Sequence, residues 1–138
     1  MMGTVYEEIT LKNQGDITRF GDGYLKEPEI RQMTVQSVVD TGAETLVISE
    51  AVQKELGLRT EHLHESTLAN GEKVICKIAE AVKVYWKDRS MACEPWVLPG
   101  ASEVLLGSIP LENMDLMVDP TERKLVGVHG DKPLGRIW

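Results

Sequence analysis

Apolar and polar residues alternate over many short stretches of this chain. An alternation with a period of two is typical of β-strands that bury one face. Turn-forming residues separate these stretches at fairly even spacing, which favours a small, mainly β barrel or sandwich. The stretches that predict strands are 5–11, 33–39, 45–48, 67–75, 79–86, 92–98, 104–107, 116–119 and 124–128. Within 67–75, the pair Asn70-Gly71 predicts the turn of a β-hairpin.

Two short helices interrupt the predicted strands. Ser49 is a predicted N-cap for the first helix, and Gly57 is a predicted stop about two turns later. The second helix is predicted to open at Ser108 and to run through Met114. The region 14–23 is rich in turn residues, so a hairpin or an irregular connection is expected there.

Length and composition point to one domain that spans residues 1–138, with an N-terminal strand and hairpin region over 1–29. The net charge is −7 and the basic residues are scattered, which argues against a nucleic-acid or membrane partner. No export signal is apparent, and no apolar run approaches the roughly 20 residues that span a bilayer. A cytoplasmic protein is therefore expected.

Two cysteines, Cys76 and Cys93, are the only ones in the chain. Without an export signal they are expected to be reduced and packed in strands, although a disulfide is possible if their strands are neighbours.

The stretch Val38-Val39-Asp40-Thr41-Gly42-Ala43 carries the candidate chemistry. Two β-branched residues predict a strand that enters the core, and Asp40 stands where the strand ends. Gly42 allows the chain to bend sharply after it. Taken alone, Asp40 is also compatible with an ordinary Asx turn, which is a common structural use of aspartate.

Three motifs in order resemble those of the retropepsin-like single-domain aspartic proteases. Asp40-Thr41-Gly42-Ala43 matches the active-site turn, and Leu68-Ala69-Asn70-Gly71 stands where the family carries its flap hairpin. Leu105-Leu106-Gly107, which precedes the second predicted helix, is similar to the motif that packs beneath the active-site loop. The likeness covers roughly residues 30–128.

This resemblance implies a small closed barrel with one lobe per chain, in which Asp40 activates a water molecule to hydrolyse a peptide bond. It implies no metal and no cofactor. The supporting roles that it implies fall to the active-site loop (Thr41, Gly42, Ala43), the flap and substrate-binding hairpin (Leu68, Ala69, Asn70, Gly71, Glu72) and the loop-supporting motif (Leu105, Leu106, Gly107).

A single Asp-Thr-Gly copy requires a partner if the chain is such a protease. Two carboxylates about 3 Å apart share one proton, and together they can take a proton from water and give one to the substrate. One copy per chain therefore implies a homodimer with Asp40 of each subunit near the two-fold axis, acting on a peptide or protein substrate.

Two other functions stay open at this level. Glu44 stands where the family more often has Asp or Ser, and the candidate flap lacks a tip rich in glycine and isoleucine. These departures motivate a dimeric module of the same fold that binds peptides or proteins with little or no cleavage. The third possibility is a monomeric β-barrel in which Asp40 is only a turn residue and Leu105-Leu106-Gly107 is only core packing.

Histidine and tryptophan residues offer no competing site. His62 and His64 would share a face of a strand, but without a cysteine nearby or a third ligand they are expected to be solvated loop residues. Trp86, Trp96 and Trp138 are expected to serve packing, with Trp138 at a dimer contact.

Overall fold

Strands dominate the computed structural model, which describes residues 4–67 and 69–130. Three short α-helices and a 3₁₀ turn (Glu27–Glu29) connect them within this part of the chain. In chain order the elements are β1 (Val5–Asn13), α1 (Gln14–Gly21), β2 (Gln32–Val39), β3 (Leu46–Ile48), α2 (Glu50–Glu55), β4 (Thr60–Thr67), β5 (Lys73–Ala79), β6 (Val82–Trp86), β7 (Arg89–Cys93), β8 (Trp96–Val97), β9 (Val104–Leu106), α3 (Ser108–Asn113), β10 (Leu116–Asp119) and β11 (Lys124–Gly127).

One curled sheet contains nine of these strands in the order β4-β5-β8-β3-β9-β2-β1-β6-β7. Strands β10 and β11 form a separate two-stranded sheet. The mainly β prediction is confirmed. The closed barrel is not, because β4 and β7 are edge strands of the large sheet in the part of the chain that is described.

The core lies on the concave side of the sheet and follows the predicted alternation. Ile9 and Leu11 of β1 pack with Val84 of β6, Leu46 of β3 and Leu106 of β9, and all five side chains are almost fully buried. Burial of such side chains contributes roughly 1.5–3 kcal/mol each, so this cluster is the main source of the stability of the sheet.

Glu7 is a charged residue on the inward face of β1, and two donors satisfy its carboxylate. The indole N–H of Trp86 donates to one oxygen at 3.0 Å, and the backbone N–H of Leu125 donates to the other at 2.8 Å. A partly buried carboxylate needs such partners. Glu7 thereby joins the large sheet to the β10–β11 hairpin.

The expected hairpin or irregular connection over 14–23 is wrong, because residues 14–21 form helix α1. Asn13 is its N-cap: its side-chain oxygen accepts from the Asp16 N–H, and its amide group donates to the Leu56 carbonyl at 2.8 Å. Gly15 and Gly21 made the segment look like a turn, whereas the cap and the packing of Asn13 favour a helix.

Asp16 ties α1 to the start of β2. Its side chain is 2% exposed and accepts hydrogen bonds from the Arg31 guanidinium at 2.8 and 2.9 Å, from the Arg31 backbone N–H and from Arg19. The hydrogen bonds from Arg31 hold the pKa of Asp16 below its ordinary value. Gly57, with φ +66°, lies so close to Arg31 that a Cβ would overlap the guanidinium.

Arg89 fixes the C-terminal part of the described chain. This buried side chain donates to the carbonyl oxygens of Met114 at 3.0 Å, Asp115 at 2.8 Å and Gly130 at 2.6 Å. A cation at the C-terminal end of α3 is also favoured by the helix dipole. Arg89 therefore links the edge strand β7 to the end of α3 and to the exit of β11.

Strand β4 begins at Thr60, earlier than predicted, so the expectation that His62 and His64 lie in a loop is wrong. Both are exposed, as expected, and the His64 ring centroid lies 5.2 Å from that of Trp96. Trp86 is buried in the core, and Trp138 lies outside the described residues.

Both cysteines are free and lie in strands, as predicted. Burial, with a smaller contribution from the neighbouring Glu94, raises the pKa of the Cys93 thiol to about 12. In residues 4–67 and 69–130, no helix is long and apolar enough to cross a membrane.

We predict that Asp16→Asn lowers the free energy of unfolding at neutral pH by about 2 kcal/mol, because it weakens charge-assisted hydrogen bonds to a buried acceptor. The folded pKa of Asp16 lies below its unfolded value, so this stability is present above pH 3.8 and is lost as the pH falls through the folded pKa. Urea unfolding as a function of pH measures the difference. The exposed Asp22→Asn is the matched control, and equal losses in both variants would contradict the assignment.

Candidate active site

The Asp40 turn leaves the sheet at the end of β2 and is closed by three hydrogen bonds. The Asp40 N–H donates to the Leu106 carbonyl at 3.0 Å, and the Ala43 N–H donates to the Asp40 carbonyl at 3.0 Å. The Gly42 N–H donates to Oδ1 of Asp40 at 2.9 Å. The carboxylate is therefore oriented by the backbone of its own turn, while Thr41 and Gly42 are exposed beside it.

Strand β9 supports this turn from one side. It pairs in parallel with β2, where Val39 stands opposite Leu106, and antiparallel with β3, where Leu46 also stands opposite Leu106. Leu106 is fully buried. The carbonyl that receives the Asp40 N–H therefore belongs to a residue that the core holds in place.

Gly107 lies directly beneath the turn. A Cβ at this position would stand 2.3 Å from the Thr45 carbonyl oxygen and 2.7 Å from the Ala43 carbonyl oxygen, closer than real Cβ contacts. Its φ of −89° is open to any residue, so the requirement for glycine here is one of space. Asp40–Ala43 and Leu105–Gly107, which are far apart in the sequence, meet at this contact.

The start of α3 continues the contact. The Ser108 N–H donates to the Ala43 carbonyl and the Ile109 N–H donates to the Glu44 carbonyl, both at 2.9 Å. These N–H groups belong to the first turn of the helix, where no partner exists within the helix. The carbonyl groups of Ala43 and Glu44 thus provide hydrogen-bond acceptors for N–H groups that have none within the helix.

An apolar pocket lies on the outward face of the sheet, beside β3 and β9. Val38, Leu105 and Val47 stand side by side on β2, β9 and β3, and Asp40 continues the alternation of Val38. The pocket has a volume of about 290 Å³ and is lined by Val47, Leu98, Gly100, Ala101, Ser102, Glu103 and Leu105. Leu105 therefore lines a pocket, while Leu106 alone serves the core.

A second apolar pocket of about 330 Å³ lies against Thr41 and the outer side of α3. Met117 and Ile109 leave 47% and 40% of their surfaces exposed in the same region. The remaining lining comes from Ser108, Leu111, Glu112, Leu116 and Val118. Residues from three separate segments form this pocket, so the sequence pattern did not reveal it.

The candidate flap residues lie at the tip of the β4–β5 hairpin, which the Asn-Gly pair predicted. The strands pair up to Thr67 and Lys73, and Ala69, Asn70, Gly71 and Glu72 lie in the connection. Asn70 Oδ1 accepts from the Glu72 N–H at 2.9 Å. Leu68 lies outside the described residues. The role of this hairpin as a flap stays a prediction.

A cluster of possible metal ligands lies elsewhere. Ligand atoms of Glu61, His62 and Glu94 lie within 4.8 Å of one another, all on exposed side chains. Glu61 is the extra residue of a β-bulge in β4, which turns it toward its neighbours. A hydrogen bond that protonated Glu61 donates to the Glu94 carboxylate raises the pKa of Glu61. None of the three belongs to the Asp40 turn, and their proximity depends on a bulge that the sequence did not show.

Comparisons with known proteins identify the family of the chain. The family model described as "Aspartyl protease" matches residues 27–118, more than half of the chain. The chain therefore belongs to the aspartyl protease family. No curated protein matches it.

Three solved structures give a second comparison. The retroviral protease-like domain of Ddi1 from Leishmania major is 14% identical, with a TM-score of 0.57 over 91% of this chain and 89% of that one. The EIAV protease complexed with the inhibitor HBY-793 is 17% identical, with a TM-score of 0.47 and coverages of 82% and 88%. A retropepsin-like aspartic protease from Rickettsia conorii is 18% identical, with a TM-score of 0.48 and coverage of 85% on both sides.

We predict that Gly107→Ala destabilises the protein by about 3 kcal/mol, because the methyl group overlaps two backbone carbonyls that cannot move without opening the Asp40 turn. Thermal and urea unfolding measure the loss. Gly21→Ala is the matched control, since nothing lies within 4 Å of a Cβ there. If both variants unfold alike, the close approach beneath the turn is not a constraint on stability.

Proposed function

We propose that the chain is a homodimeric aspartic endopeptidase that hydrolyses peptide bonds with a water molecule activated by Asp40 of both subunits. The observation that carries the proposal is the Asp40 turn itself: its carboxylate accepts the Gly42 N–H, and Gly107 packs beneath it. Membership of the aspartyl protease family supports the same chemistry.

Two Asp40 carboxyl groups and one water molecule supply the proton transfers of the reaction. In the dimer the two carboxyl groups share a proton. One carboxylate takes a proton from the attacking water, and the protonated partner gives its proton to the substrate carbonyl oxygen. The carboxyl group that took the water proton then gives it to the leaving nitrogen as the C–N bond breaks, and its partner recovers a proton from the hydroxyl group that becomes the new carbonyl. The Gly42 N–H on Oδ1 keeps each carboxylate oriented throughout.

The surface beside Thr41 supports association of two copies. Exposed Thr41, the 330 Å³ pocket and the exposed side chains of Ile109 and Met117 form one region, which we call the α3 face. A two-fold axis near Asp40 brings the α3 faces of two subunits together, because the face adjoins the turn. Apolar groups at such a face favour burial in an interface. By the family resemblance, Thr41 of each subunit forms a hydrogen bond across the axis and makes the turns rigid.

The apolar pocket that Leu105 of β9 helps to line supports a peptide substrate with an aliphatic side chain. Its volume of about 290 Å³ and its lining by Val47, Leu98 and Leu105 suit such a side chain. The β4–β5 hairpin, with Ala69 to Glu72 at its tip, closes over the extended peptide, which binds by strand addition.

We predict that Asp40→Asn lowers the cleavage rate by at least about 10³-fold, because an amide cannot exchange the protons that the carboxylate pair exchanges. Cleavage of a peptide library between mildly acidic and neutral pH, followed by mass spectrometry, measures the rate. Asp88→Asn, in an exposed turn, is the control and is expected to keep full activity. Equal cleavage rates for wild type and Asp40→Asn would contradict the proposal.

The exposed carboxylate of Glu44, directly after the turn, motivates a second candidate: a dimer of the same fold that binds peptides with little or no cleavage. The same library separates the two functions. Peptides that are retained intact by wild type and by Asp40→Asn alike favour the binding module, whereas products formed only by wild type favour the enzyme.

We predict that Met117→Lys raises the dimer dissociation constant about tenfold or more, which corresponds to about 1.4 kcal/mol, because a charge enters the α3 face. Sedimentation equilibrium over a range of concentrations measures it, and activity is expected to recover at high protein concentration. Tyr24→Lys, at a side chain 80% exposed outside this face, is the control. A wild-type protein that stays monomeric at high concentration would rule out the dimeric enzyme.

A further inference from the structure

The tip of the β4–β5 hairpin presents an asparagine followed by a glycine to solvent. Asn70 and Gly71 are both exposed, and Gly71 adopts φ +87°. A Cβ at Gly71 would meet nothing within 4 Å, so no described residue packs against this side of its Cα. Glycine also lacks the side chain that hinders attack by a backbone nitrogen on the preceding side chain.

Hydrogen bonding at this tip favours such an attack. The Glu72 N–H donates to Oδ1 of Asn70 at 2.9 Å, which draws electron density from Cγ and makes this carbon more electrophilic. No described residue accepts a hydrogen bond from the side-chain amide group of Asn70. Within the described part of the chain, the leaving group is therefore not held by a hydrogen bond.

The other two asparagines of the sequence show the opposite arrangement. Asn13 is buried with both polar side-chain atoms hydrogen bonded, and the nitrogen that follows it, on Gln14, donates to the Ala81 carbonyl. Asn113 donates its amide group to the Ile109 carbonyl, and the following nitrogen, on Met114, donates to the Pro110 carbonyl. In both places the nucleophile is held away from the side chain.

We infer that Asn70 is a site of spontaneous deamidation. The Gly71 nitrogen loses its proton and attacks Cγ of Asn70, the C–N bond to the side-chain amide group breaks, and ammonia leaves with a proton from solvent. A five-membered succinimide remains. Water then opens the ring at either carbonyl, which gives aspartate or isoaspartate at position 70. The net change is the gain of one water and the loss of one ammonia, with no oxidation or reduction.

Both products change the hairpin tip. Aspartate adds a negative charge next to Glu72, and isoaspartate inserts a methylene group into the backbone between strands that pair up to Thr67 and Lys73. The second product also removes the geometry of the Asx turn that links Asn70 to Glu72. If the hairpin is the flap, which rests on the proposed function, the modification slows its closure.

Peptide mapping of the aged full-length protein tests the inference. The protein is incubated at mildly alkaline pH, and the three asparagines are followed by mass spectrometry and by isoaspartate-specific methylation. Modification at Asn70 is expected to exceed that at Asn13 and Asn113 at every time point and to rise with pH. Asn70→Ser keeps an oxygen acceptor but cannot form the ring, so methylation above background at the hairpin is expected to vanish.

A synthetic peptide of residues 66–75 supplies the reference rate. An intact Asn70 in the folded protein, under conditions that modify the peptide, would overturn the inference, because the hairpin would then protect the site. Modification at all three asparagines to a similar extent would also overturn it, since the folded structure would then have no influence.

Activity provides a separate measurement. Wild type and Asn70→Ser are aged in parallel, and the cleavage rate of each is divided by that of its own fresh sample. Wild type is expected to lose a larger fraction of its rate than Asn70→Ser, and equal fractional losses would overturn the effect on closure. Absence of cleavage in fresh wild type would instead overturn the proposed function and leave the mapping result unchanged.

Discussion

The close approach of Gly107 to the backbone of the Asp40 turn is the constraint on which the candidate site depends. Two carbonyl oxygens, of Ala43 and Thr45, occupy the space that any side chain at position 107 would fill. Because the next residues of α3 donate to the carbonyls of Ala43 and Glu44, the turn is fastened from below by backbone alone. Backbone contacts of this kind position a carboxylate more rigidly than side-chain packing does, since they have no rotamers to change.

The same contact explains how a short turn can be both exposed and ordered. Thr41 and Gly42 face solvent, yet β9 lies beneath them with Leu106 fully buried in the core. The hydrophobic core therefore supports the Asp40 turn, and with it the carboxylate, through strand β9. A loss of core packing at Leu106 would reach Asp40 through the hydrogen bond between the Asp40 N–H and the Leu106 carbonyl, without any change in the turn itself.

Local patterns predicted most of the strands and the ends of α2 and α3, because alternation, caps and glycine stops act over a few residues. They failed for α1, because its N-cap residue Asn13 is held in place by a hydrogen bond to the Leu56 carbonyl, which is distant in the sequence. They also failed to separate Leu105 from Leu106: adjacent leucines look alike in a sequence, and only the pairing of β9 with β2 and β3 decides which one enters the core. The two apolar pockets were beyond prediction, because each is lined by residues of several segments.

Strand β4 is a long edge strand of the large sheet in the described part of the chain. Its composition affects whether the edge strands of two copies can pair with one another. An unpaired edge is a template for aggregation, since it offers a row of free backbone groups to any passing strand. Most side chains of β4 are exposed, and Glu61 and Glu65 stand among them. Glu65 also pairs with Lys73 of the neighbouring strand at 3.3 Å, so charges of both signs line this edge. Charged side chains on an edge strand disfavour its pairing with the same strand of another copy.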